Sequence, residues 1–137
     1  MGSGKFTPVV EKARSVLEPV RAIRLAFLFG SAARGRLRQD SDIDVAVLWE
    51  GRPTEKQKER LWAVLEEALG VPVDLVSLND CPPTIAWEAL RGIPLVVRDR
   101  RSYLEYMLAV SREAEDFQEF VLDFWRWRRR LRAGGQP

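Results

Sequence analysis

No histidine occurs anywhere in the 137 residues. That absence removes Ser-His-Asp and Cys-His nucleophilic catalysis and every imidazole metal ligand. Acid–base or metal chemistry must therefore rest on Asp, Glu, Lys, Tyr or the single cysteine, Cys81. One cysteine excludes an internal disulfide and fits a reducing compartment. No apolar run is long enough to span a bilayer and there is no signal-peptide pattern, so the expected setting is cytoplasmic, with no membrane partner. Asparagine is represented only by Asn79, and most of the positive charge is arginine, a composition that leans towards a thermophile. Excess charge is missing too. The net charge is +2, less than a wholesale nucleic-acid binder carries, so composition argues against nucleic acid as a partner.

What is present suffices for one folded domain over residues 1–137. The hydrophobic fraction is 46%, enough for a small core. Gly2-Ser3-Gly4-Lys5 has a superficial likeness to a phosphate-binding P-loop. It lacks the full spacing and a preceding strand, and is rejected.

The periodicity predicts a helix opened by Pro8, with Val9, Val10, Ala13, Val16 and Leu17 on one face. Apolar runs at residues 23–29, 43–49, 71–78 and 93–97 read as strands. A helix over residues 54–70 begins with a Thr54/Gln57 capping box, carries a stripe of Leu61, Trp62, Leu65, Ala68 and Leu69, and stops at Gly70. A short helix over residues 84–91 ends at Gly92. Ser102 and Glu105 form a second capping-box pattern, opening a long helical stretch to about Arg132. Tyr103, Met107, Val110, Ala114, Phe117, Val121, Phe124 and Leu131 keep one face of it apolar.

This order predicts an α+β (α/β-like) fold: a small mixed sheet of about four strands with helices packed on it. The 54–70 helix is long enough to cross over between parallel strands, placing the second and third side by side or one strand apart. The core spans about residues 8–98. A helical extension, one long helix or a helix pair, spans about residues 101–132.

The densest chemistry lies between the first two strands. Gly30, Ser31 and small residues follow an apolar run, a pattern that offers backbone N–H groups to phosphate. Arg34 can meet phosphate oxygens bidentately. Asp42 and Asp44 alternate, so they share a face, with Cα atoms roughly 6.5 Å apart. Two carboxylates that close repel unless a cation lies between them. Oxygen-only donors favour Mg²⁺ or Mn²⁺ over zinc. Asp74 interrupts an apolar strand, where a bare carboxylate is costly to bury. If that strand adjoins the second, three carboxylates converge, enough for two metals about 4 Å apart.

Gly30-Ser31, ten intervening residues and Asp42-Ile43-Asp44 match the GSx10DxD signature of the DNA polymerase β-like nucleotidyltransferases. Gly30 to Gly35 and Ser41 to Asp44 resemble its minimal nucleotidyltransferase (MNT) subfamily, and Asp74 falls where that family keeps its third carboxylate. The resemblance covers about residues 8–98. It implies that Asp42, Asp44 and Asp74 are catalytic metal ligands for two Mg²⁺, and that Gly30 and Ser31 bind the triphosphate of ATP or another nucleoside triphosphate. Relatives often carry Arg where this chain has Ala32, which leaves phosphate binding more dependent on Arg34. Minimal members are frequently antitoxins paired with a helical HEPN ribonuclease toxin, transferring AMP from ATP to a toxin tyrosine. The resemblance thus implies a protein adenylyltransferase with a HEPN-type toxin as partner. Two alternatives stay open: a non-catalytic antitoxin acting by occlusion, and a transferase for aminoglycoside-like small molecules. The tail from Phe124 to Arg132, rich in Trp and Arg, reads as a solvated helix end or a partner surface. The C-terminal apolar stripe reads as core or as a homo-oligomer seam.

Overall fold

The computed structural model describes residues 3–30 and 42–113, together with Arg126 and Arg129. The described elements run α1 (Ser3–Leu17), β1 (Ile23–Phe29), β2 (Ile43–Trp49), α2 (Glu55–Leu69), β3 (Val73–Ser77), α3 (Pro83–Leu90), β4 (Ile93–Val97) and α4 (Arg100–Glu113). The sheet order is β3-β2-β1-β4. β1 is antiparallel to both β2 and β4, and β2 is parallel to β3. This is the mixed four-stranded sheet expected, with β2 and β3 adjacent.

Side-chain alternation divides the core into two layers. On one face Ala26, Leu28, Val45 and Val47 meet Ala13 and Leu17 of α1 and Leu61 and Leu65 of α2. On the other, Leu25, Phe27, Phe29 and Ala46 meet Ile85 and Ala89 of α3 and Val110 of α4. The rings of Phe27 and Tyr103 lie 5.6 Å apart, tilted, a favoured aromatic geometry. The expected core-facing positions Tyr103, Met107 and Val110 do face this layer.

Three local expectations are corrected. Helix α1 begins at Ser3, with Pro8 inside it. One lost N–H bond near a helix end is a small loss, because the stripe that anchors the helix lies beyond it. Helix α4 starts at Arg100, and its cap is Asp99 rather than Ser102. The Asp99 carboxylate accepts the Ser102 backbone N–H at 2.7 Å and the Ser102 hydroxyl at 2.9 Å; Ser102 is the third helical residue, where a capping side chain finds its donor. Trp62 is 44% exposed rather than part of the buried stripe. The Thr54/Gln57 capping box is present as read, and the Gly70 stop has φ 71°. The helical pattern from Ala114 to Arg132 lies outside the described residues, apart from exposed helical Arg126 and Arg129. No described helix is long and apolar enough to cross a membrane.

The Ser102 N–H and hydroxyl hold the Asp99 carboxyl below its ordinary value of 3.8. A depressed folded-state pKa contributes stability above the unfolded value, lost as pH falls through the folded one. Asp99→Asn keeps a capping acceptor without that charge. Its thermal midpoint is expected to fall less steeply than the wild type's on acidification from pH 5 to below 3.8, measured by circular dichroism.

The single asparagine joins two strand ends. The Asn79 carbonyl accepts the Trp49 N–H at 2.9 Å, while its amide donates to the Trp49 and Gly51 carbonyls at 2.9 and 3.3 Å. Asn79→Ala leaves these backbone groups unpaired and is expected to cost about 2 kcal/mol, read from the denaturant midpoint.

Candidate active site

β1 delivers the chain to the site. Its last residue, Phe29, is paired with Asp44, and the next, Gly30, turns away with φ 76°. That is the left-handed region, where a side chain is strained. The turn therefore begins beside Asp44. On the other side of β2, Asp44 is paired with Asp74 of β3, with Ile43 opposite Val73. Paired residues of neighbouring strands share a face, so both carboxylates stand on the α3/α4 side, about 4.8 Å apart at Cα. The parallel β2–α2–β3 crossover sets this register. Val45 and Val73, on the opposite face, are core residues under α1 and α2, so a one-residue slip would bury a charge in that layer.

Asp44 is 3% exposed and is one of two buried polar residues described, the other being Thr84. Asp74 is half-buried, and Asp42, one residue before the strand, is exposed. The sheet thus brings Asp44 and Asp74 together with the Gly30 turn. Among the described residues no group of three Asp, Glu, His or Cys side chains could hold a metal ion. Ser31 and Arg34 lie outside the described residues. Asp42, Asp44 and Asp74 offer only carboxylate oxygens, a donor type that suits a hard divalent cation.

A groove of about 570 Å³ runs along the outer edge of β3 from Asp74, between α2 and the turn around Cys81. Burial, together with the Asp80 charge, pushes the Cys81 thiol up to about 11, so it is protonated at neutral pH and a poor nucleophile. At the start of the edge, the Trp62 indole N–H donates to the Val73 carbonyl at 2.8 Å. The Glu66 carboxylate accepts the Val73 N–H at 2.8 Å. Both roles were missed from sequence: Trp62 reads as part of the apolar stripe, and Glu66 was not singled out. The signal was their spacing: residues four apart on a helix share a face, and this face borders the strand carrying Asp74.

Residues 11–101 match the family described as polymerase beta, nucleotidyltransferase. The chain belongs to this nucleotidyltransferase family. It is an enzyme of nucleotidyl transfer, as the GSx10DxD resemblance implied, and family members generally use divalent metals. A curated relative, the protein adenylyltransferase MntA of Thermococcus cleftensis, is 36% identical over 74 residues, which is 54% of this chain and 75% of the relative. Among solved structures, a toxin–antitoxin complex with AMP-PNP superposes with TM-score 0.65 at 22% identity, covering 85% of this chain and 98% of that one. The MNT antitoxin in complex with a tri-AMPylated HEPN toxin of Shewanella oneidensis superposes with TM-score 0.56 at 19% identity, covering 91% and 99%. These two likenesses show the nucleotidyltransferase fold over most of this chain.

Proposed function

We propose that this chain transfers AMP from ATP to a tyrosine hydroxyl of a HEPN-type toxin and so acts in the cytoplasm as its antitoxin. The observation that carries the reading is the pairing of Asp44 with Asp74 beside the Gly30 turn. Support for the acceptor comes from the relatives, one named a protein adenylyltransferase and others solved with toxins.

Gly30, Ser31 and Arg34 bind the triphosphate through backbone N–H groups, a hydroxyl and a guanidinium. Asp42, Asp44 and Asp74 would hold two Mg²⁺ through their carboxylate oxygens. When bound, these ions neutralise phosphate charge and polarise the reacting phosphorus. Asp74 orients the acceptor hydroxyl and accepts its proton. The acceptor oxygen bonds to the α-phosphorus, the bond from that phosphorus to the bridging oxygen breaks, and pyrophosphate leaves. Burial of Asp44 excludes water from one side of the centre, which strengthens every charge interaction there.

The test is incubation with α-labelled ATP, Mg²⁺ and the purified protein encoded by the neighbouring gene. The expected result is label on that protein together with loss of its ribonuclease activity. Inhibition without label, retained fully by Asp44→Asn, would replace transfer with occlusion.

A further inference from the structure

The two edges of the sheet are treated differently. On the β4 edge Pro94 removes a donor, and Arg14 donates to the Leu95 and Pro94 carbonyls, both at 3.1 Å. That edge is blunted against strand addition. The β3 edge is closed only at its start. The Ile43 N–H donates to the Pro72 carbonyl at 3.0 Å and the Leu78 N–H to the Val47 carbonyl at 2.8 Å. Those bonds set the alternation: residues 72, 74, 76 and 78 bond towards β2, while residues 73, 75 and 77 direct their backbone groups outward. Trp62 and Glu66 satisfy Val73. The Ser77 carbonyl takes only a long turn bond, 3.5 Å, from Asp80. The outward N–H groups of Leu75 and Ser77 and the Leu75 carbonyl have no partner among the described residues.

These groups form the floor of the groove that begins at Asp74. One lip is α2, with Glu59 and Trp62; the other is the turn carrying Asp80, Cys81 and Pro82. Trp62 supplies an exposed aromatic surface. Glu59 and Asp80 are exposed acids, and the nearby Lys58 is already paired with Glu55 at 3.2 Å. The lips are therefore net acidic.

Resting on the protein-transfer reading above, we infer that the acceptor enters this groove as an extended, cationic segment of the partner, pairing as an added strand with Leu75 and Ser77. The groove is continuous with the candidate centre through Asp74. A residue of the added strand beside Asp74 shares its face, about 5 Å away. The Trp62 and Glu66 caps stop further pairing at Val73, so the added strand ends at Asp74. Its terminal hydroxyl-bearing residue is thereby delivered to the carboxylate that takes the proton. Main-chain bonds supply affinity, and the acidic lips select Lys or Arg next to the acceptor.

The experiment uses full-length protein and the purified product of the neighbouring gene. Backbone amide exchange of Leu75 and Ser77 is followed with and without that partner, and label transfer is compared with Leu75→Pro and Ser77→Pro. Proline removes only an outward N–H at these edge positions; thermal unfolding identifies folded variants. The expected results are at least about tenfold slower exchange at both amides, and at least about tenfold weaker transfer through a raised KM. Unchanged exchange while the wild type still labels its partner overturns this inference and leaves the transfer reading standing. Wild-type transfer by a folded proline variant does the same. Failure of the wild type to label the partner overturns both.

Discussion

Asp44→Asn is expected to lower nucleotidyl transfer by at least about 10³-fold, since metal-ligand charge supplies several kcal/mol of transition-state stabilisation. The replacement is nearly isosteric, which matters at a position only 3% exposed. The amide keeps the shape and an acceptor oxygen but loses the charge that a divalent cation requires. Asp44 and Asp74 are registered neighbours on parallel strands, and the amide occupies the space of the carboxylate it replaces. Thermal stability should therefore change little, and lost activity can be separated from lost folding. Asp42→Asn, at the exposed position outside the strand, should retain the fold equally well. Single-turnover transfer of labelled AMP measures both variants. Wild-type rates in Asp44→Asn would remove this residue from the reaction.

Gly92→Ala is expected to be the most destabilising single-methyl change in the described chain. A Cβ there would lie 2.2 Å from the Leu28 carbonyl oxygen and 3.1 Å from that of Ala89. Both obstacles are backbone, so neither can swing aside as a side chain could. Helix α3 comes down onto β1 at this point, and the Gly92 N–H donates to the Ala89 carbonyl at 2.9 Å. Overpacking of this kind costs about 3 kcal/mol, or roughly 10 °C in thermal midpoint for a chain of this size. The displaced residues are those that lead through Phe29 to the Gly30 turn. Transfer should consequently fall as well, even at temperatures where the variant remains folded. Differential scanning calorimetry and the transfer assay at low temperature separate the two effects.

Gly92 also illustrates what local sequence cannot convey. Its position after an apolar run reads correctly as a helix stop. The closeness of Leu28, sixty-four residues earlier in number, is a property of the packed layers. Elements whose cause is local were legible. The bounds of β1 and β2 follow from runs that are apolar but for Arg24 and Asp44, and the start of α2 from the Thr54/Gln57 pair. The adjacency of β2 and β3 was legible to within one strand, because a helix the length of α2 suits a parallel crossover. The Asp44–Asp74 register was not, since it depends on how the two apolar faces seat against α1 and α2. Where two local signals competed, the nearer donor decided. Asp99 captured the cap of α4 because its carboxylate reaches Ser102, leaving Glu105 to pair with Arg101 at 3.0 Å. The roles of Trp62 and Glu66 arise only once α2 lies beside the β3 edge.

We propose that Asp42, Asp44 and Asp74 act as one divalent-metal centre. Its most direct measurement is Mn²⁺ titration in the presence of a non-hydrolysable ATP analogue, followed by electron paramagnetic resonance. Wild-type protein is expected to bind about two ions per chain, and Asp44→Asn and Asp74→Asn fewer and more weakly. Equal stoichiometry and affinity in all three proteins would rule these carboxylates out as a shared metal centre.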